Sequence, residues 1–202
     1  MESQFSVLGL QNTYIDQVNP LIYNRARHYA RDKQHRLQNM PSDPARQGVL
    51  SNAVDMVNLG NSLLYSYQTK REEHESEENR RTPGYLDNST LLKMLQNTNL
   101  VTNDKELKPG WTVIPRHRTG FRPQHPEPYI TYTQENEGAT SALLLAPGVP
   151  CEDSRIVPRG VVVAILCNMQ GIGLAKLALN IASFYHELEE EKPASLQTVY
   201  QC

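Results

Sequence analysis

The stretch VVVAILCNMQGIGLAKLALNIASF, residues 161–184, constrains the fold more than any other part of the chain. Its first seven residues are apolar throughout, as in a strand buried on both faces. Gly171 and Gly173 then supply a tight turn, because glycine enters backbone conformations closed to other residues. From there Leu174, Leu177, Ala178, Ile181, Phe184, Tyr185 and Leu188 recur at the three- and four-residue spacing of an amphipathic helix. That spacing predicts a helix from about Gly173 to Glu191, ended by Pro193. The apolar run from Gly160 to Cys167 is far short of the roughly 20 residues a membrane span needs.

The N-terminal part reads as helical. Asn19-Pro20 breaks it into two pieces, with a helix predicted to start at Pro20 and run through LIYNRARHYARDKQHRLQNM. Its apolar stripe is narrow: Leu21, Ile22, Ala26, Tyr29, Ala30 and Leu37. A second helix is expected after Asp43-Pro44, as cap and first residue, carrying Val49, Leu50, Ala53, Val54, Met56, Val57, Leu63, Leu64 and Tyr67. Beyond it the polar run through residues 69–81 either extends this helix with charge pairs or frays. A short third helix is expected from Ser89 to about Asn97, capped by Asn88 or Ser89.

From Lys108 the composition shifts, and eight of the 13 prolines lie between Pro109 and Pro158. Strand-like content occurs in residues 111–114, 128–134, 141–146 and 155–166. Proline donates no ladder hydrogen bond, so these predict short strands and an extended arm rather than a broad sheet. The resulting division is a helical region over 1–107, a proline-rich arm over 108–159, and a strand-turn-helix over 160–202 packing with the helical region. The fold class expected is α+β and helix-dominated.

The strand, glycine turn and helix of residues 161–184 resemble the phosphate-binding loop of P-loop nucleotide hydrolases. In that family backbone amides cradle phosphates, a lysine reaches the outer ones, and a hydroxyl residue holds magnesium. The resemblance implies an anion site at Gly171 and Gly173. The positions that follow are Leu174 and Ala175, however, and Lys176 comes two places late. That leaves at most a degenerate nucleotide-binding module.

Two segments concentrate positive charge: Arg25, Arg27, Arg31 and Arg36, and then Lys108, Arg116, Arg118 and Arg122 with Trp111 and Phe121 interleaved. Such cations suit either phosphates, with the aromatic rings stacking on unpaired bases, or an acidic protein surface. The net charge of −2 favours neither. Histidines and cysteines show no zinc spacing, so no metal ligand is assigned. The three cysteines, Cys151, Cys167 and Cys202, are an odd set without disulfide spacing. No nucleophile and base stand together in the sequence, and the glutamate runs over 72–78 and 187–191 read as solvated faces.

The N-terminus MESQFSVLGL has no basic region followed by a long apolar run, so no signal peptide is expected. The apolar fraction of 39% allows only a modest core. Together these features predict a non-enzymatic structural or adaptor protein, cytoplasmic or nuclear, with a virion or scaffold component as one form of it. It would need no cofactor and would act through protein partners or self-association, without a membrane. The alternatives are a nucleic-acid-binding protein using the basic segments and the degenerate nucleotide module.

Overall fold

In a computed structural model the described residues are 2–15, 22–40, 48–69, 86–96, 99–100, 110–114, 128–148 and 159–190. Their centre is a five-stranded sheet in the order β5-β6-β7-β8-β9. The strands are β5 (Asn99–Leu100), β6 (Gly110–Ile114), β7 (Tyr129–Asn136), β8 (Ala139–Pro147) and β9 (Gly160–Cys167). From β6 to β9 every pairing is antiparallel, and only the two-residue β5 runs parallel to its neighbour.

Helix α4 (Leu174–Glu190) covers one face of this sheet, while α2 (Ala53–Gln68) and α3 (Asn88–Gln96) cover the other. The alternation along β8 sorts the two cores. Ala142, Leu144 and Ala146 pack against Leu174, Ala178, Leu179 and Ala182 of α4. Leu143 and Leu145 pack against Leu63 of α2 and Leu91 and Leu95 of α3. A strand covered on both sides has no polar face to show, which is why 141–146 reads as SALLLA.

Helix-dominated is therefore the wrong class, since strand and helix are present in similar measure. Nor are the strands short: β7, β8 and β9 span eight, nine and eight residues. No proline falls between Pro128 and Pro147. That window holds β7, a two-residue loop at Glu137-Gly138 and β8, with Gly138 at φ +77°. Proline density across the whole middle region conceals this local gap.

The helix expected from Pro20 to Met40 is absent from its described part. Residues His28–Arg31 (β2) and Leu37–Met40 (β3) form an antiparallel hairpin instead. Asn24 and His35 have φ of +60° and +61°, which ends any right-handed helix at those points. At the turn, Asp32 accepts hydrogen bonds from the backbone N–H groups of Gln34 and Arg36, both at 2.9 Å. Aspartate competes with helical hydrogen bonding in this way, and the narrow apolar stripe offers too little burial to resist it.

Helix α2 begins at Ala53, well after Pro44. Val49-Leu50 (β4) pairs with Tyr14-Ile15 (β1), and Asn52 caps the helix by accepting from the Asp55 N–H at 2.8 Å. Residues 41–47, with the expected cap Asp43, lie outside the described residues, as does the run 70–81. Buried Asp55 in turn accepts from the Asn12 N–H and the Thr13 hydroxyl, each at 2.7 Å, tying the segment after α1 (Glu2–Val7) to α2. Helix α3 falls at the expected place, but its cap is Asp87, which accepts from the Thr90 N–H at 2.8 Å.

Candidate functional site

Three loops meet at the end of the sheet where β7 turns into β8 and β9 gives way to α4. The β2–β3 hairpin docks there through its backbone. Tyr29 N–H is shared between the carbonyls of Gly138 and Asn168, both at 3.1 Å, and the Tyr29 carbonyl accepts from Gln170 N–H at 2.9 Å. The Asn168 amide donates to the Arg27 carbonyl at 2.9 Å, and the Thr140 hydroxyl donates to the Met169 carbonyl at 2.9 Å. Gly138 makes this approach possible. A Cβ there would meet the Cβ of His28 and come within 2.9 Å of Tyr29 N, and its positive φ also suits glycine.

The hairpin thus carries the first basic segment to the loop that precedes α4. Arg27, Arg31, Lys33 and Arg36 are exposed on it and Arg25 is half-buried. Arg36 pairs with Asp32 at 3.0 Å. Asp32 has its pKa lowered, chiefly by the Arg36 backbone N–H, with the Gln38, Gln34 and Arg36 side-chain or backbone donors adding to it against a smaller desolvation cost. The hairpin therefore sets Arg27, Arg31 and Lys33 on the surface near the loop that leads into the glycine turn.

Gly171 (φ +78°) and Gly173 lie in the turn between β9 and α4. The Leu174 N–H bonds back to the Ile172 carbonyl at 2.9 Å, so one of the helix's leading donors is already used. The strand before the turn, β9, runs antiparallel to β8 and has no second strand paired to it among the described residues. A phosphate-binding loop instead follows a strand of a βαβ unit, whose sheet is parallel. The resemblance is therefore confined to the order of strand, glycine turn and helix.

Trp111 lies in β6 with its ring 5.2 Å from that of Tyr132, in the core under α3. Lys108, Arg116, Arg118, Arg122 and Phe121 are outside the described residues. Among the described residues no three His, Cys, Asp or Glu side chains gather as a metal site.

A polar pair that no sequence motif marks lies beneath α4, where the hydroxyls of Tyr129 (β7) and Ser183 (α4) stand 3.5 Å apart. Burial raises the Tyr129 pKa above its ordinary 10, and the Ser183 hydrogen bond opposes the rise. Tyr129 is thus a neutral hydroxyl at physiological pH. Ser183 sits among helix-periodic apolar residues, so nothing local singles it out.

No protein-family model matches the chain. Known proteins do. A human protein named serine beta-lactamase-like protein LACTB, mitochondrial, is 35% identical over 195 aligned residues, covering 90% of this chain and 35% of the relative. Its mouse and bovine namesakes are 34% and 35% identical over the same length. The chain spans about a third of the length of these relatives.

These relatives overturn three expectations: that the protein is a structural or adaptor component, that it is not an enzyme, and that it belongs to a virion or assembly. Proteins that align with nine-tenths of the chain are named for a serine hydrolase class. The nucleic-acid and nucleotide alternatives fall with the reading they accompanied. The Ser-x-x-Lys run that carries the nucleophile in class A β-lactamases does not occur in the 202 residues. That run alone therefore does not disclose the similarity from this sequence. No helix among the described residues is long and apolar enough to cross a membrane.

Proposed function

We propose that this chain forms the sheet portion of a serine β-lactamase-like hydrolase, a scaffold for acyl transfer from an amide or ester to a serine and then to water. The observation that carries the reading is the identity of 34–35% spread over 195 aligned residues, nine-tenths of the chain. The fold is compatible with it: a rigid antiparallel sheet held between helices is the kind of support a precisely placed catalytic group needs. The cationic side chains of the β2–β3 hairpin would favour substrates with an anionic group near the scissile bond. The names of the relatives also support a mitochondrial location in place of the cytoplasm or nucleus.

The test is a chimera in which this chain replaces the aligned third of the human relative. The unmodified relative and the chain alone are assayed beside it against chromogenic β-lactam, ester and peptide substrates. Intact-mass spectrometry after quenching reads any acyl adduct on serine. Turnover and an adduct in the folded chimera are expected wherever the relative shows them. A chimera that folds with no turnover, beside an active relative, overturns the reading.

A further inference from the structure

Helix α2 ends where β8 leaves the sheet and β9 enters it. Pro147 opposite Gly160 is the last regular pair of that ladder. One step further, the Gly148 N–H donates to the Arg159 carbonyl at 2.9 Å. A hydrogen-bonded antiparallel pair exchanges two such bonds, and the second would run from the Arg159 N–H to the Gly148 carbonyl. Here the side chain of Gln68, the last residue of α2, takes its place. Its Oε1 accepts from the Arg159 N–H at 2.8 Å, and its Nε2 donates to the Gly148 carbonyl at 3.1 Å. The same Nε2 donates to the Arg159 carbonyl at 2.7 Å.

The amide thus sits in the ladder as a peptide group would, with its acceptor and its donors both used. Among side chains of similar length, ionised glutamate has no donor, and lysine and arginine have no acceptor. The helix end that presents Gln68 is itself held. Thr69 N–H returns to the Tyr65 carbonyl at 2.9 Å, and the Asn88 amide donates to the Ser66 and Tyr67 carbonyls at 3.2 and 2.6 Å. Carbonyls of a last helical turn have no partner within the helix, so Asn88 supplies one from the start of α3. The strands also approach closely: a Cβ on Gly160 would strike the Ala146 carbonyl and lie 2.8 Å from Gly148 N.

We propose that Gln68 is a positioning residue whose amide, set into the β8–β9 ladder, makes the end of α2 and the root of residues 149–158 move as one body. Those residues lie outside the described part, but the chain leaves at Gly148 and returns at Arg159, so the joint fixes both points. This role does not rest on the acyl-transfer reading, and either can fail alone.

Nuclear magnetic resonance on the full chain tests it. The two Nε2 protons of Gln68 should give separate, slowly exchanging signals with cross-peaks to Gly148 and Arg159. Gln68→Met keeps the length and helix preference but has no amide. It should speed exchange at the Gly148, Arg159 and Thr69 amides by about three- to tenfold, as for one lost hydrogen bond. Gln68→Glu keeps the acceptor and loses the donors, so Arg159 should stay protected while Gly148 exchanges faster. Circular dichroism and exchange at the Leu144 amide should be unchanged in both. Gln68 side-chain protons that exchange freely in the native chain overturn the proposal. An Arg159 amide that stays protected in Gln68→Met overturns it too, because the strands then pair without the helix. Equal effects of the two substitutions at Arg159 would reduce the side chain to a space-filler, and an unmoved Thr69 amide would separate the helix from the joint; either result overturns it.

Discussion

The sheet and the β2–β3 hairpin are both built from antiparallel strands, yet they are stabilised by different forces. In the sheet, Leu143, Leu144 and Leu145 of β8 are at most 3% exposed, and each face of the strand has its own helix-covered core. In the hairpin the corresponding apolar residue, Leu37, is 64% exposed; hydrogen bonds at Tyr29 and from Asn168 to the Arg27 carbonyl hold the strands to the body, and bonds to Asp32 close the hairpin's own turn. Apolar burial contributes about 25 cal/mol for each Å² removed from water, while an exposed hydrogen bond adds little net. The sheet is therefore the cooperative unit, and the hairpin is a docked appendage whose geometry is set locally.

The sharpest contrast should come from paired leucine truncations. Leu144→Ala removes a fully buried side chain from the centre of the core under α4 and should cost about 2–5 kcal/mol. Leu37→Ala should stay within about 0.5 kcal/mol. Urea unfolding followed by far-ultraviolet circular dichroism measures both, and equal losses would erase the distinction between the two regions. Asp55→Ala belongs next in size. It leaves the part-buried Asn12 N–H and the buried Thr13 hydroxyl without their Asp55 acceptor, a loss of about 2–3 kcal/mol that the same unfolding curves read. Here the sheet should keep its exchange protection while residues 10–15 lose theirs.

The same division explains which elements are legible in the sequence. Burial writes a long-range signal into composition, so the apolar runs at 141–146 and 161–167 and the period of α4 disclose strands and a helix directly. The hairpin has no such signal. Its residues 22–40 carry helix-compatible spacing, and the outcome turns on Asp32 bonding its own loop and on Asn24 and His35 entering the left-handed region. The docking site is equally hidden, because Gly138 and Asn168 meet Tyr29 only through pairings more than 100 residues apart in the chain. Of the basic residues singled out, the hairpin group lies against a loop whose position depends on those distant pairings, and charge alone does not reveal its chemistry. The similarity to the relatives is likewise not announced by a Ser-x-x-Lys run, which the sequence lacks.

Gly138→Ala should separate the two regions directly. The new Cβ would strike His28 and crowd Tyr29 N, and the residue would have to hold φ +77°. A left-handed alanine costs about 1–2 kcal/mol, and undocking the hairpin relieves the clash without disturbing either helix-covered core. The expected outcome is accelerated exchange at the Tyr29 and Gln170 amides with β8 and α4 still protected. If the sheet unfolds together with the hairpin, the docking contacts belong to the cooperative core after all.

The smallest effect concerns the turn itself. Asp32 is half-buried in the turn, and its lowered pKa arises first from the Arg36 backbone N–H. A carboxylate held below its ordinary value of 3.8 stabilises the folded turn fully above that value, and the contribution is lost as pH falls through the lower folded pKa. The amide resonances of Gln34 and Arg36 should therefore shift together in acid, with a midpoint below 3.8, while amides of β8 stay in place. Asp32→Asn keeps one acceptor oxygen and should abolish the titration while leaving β2 paired with β3. A midpoint at or above the ordinary carboxylate value would mean that the donors around Asp32 do not hold its charge, and the turn would then owe its shape to His35 and its left-handed backbone instead.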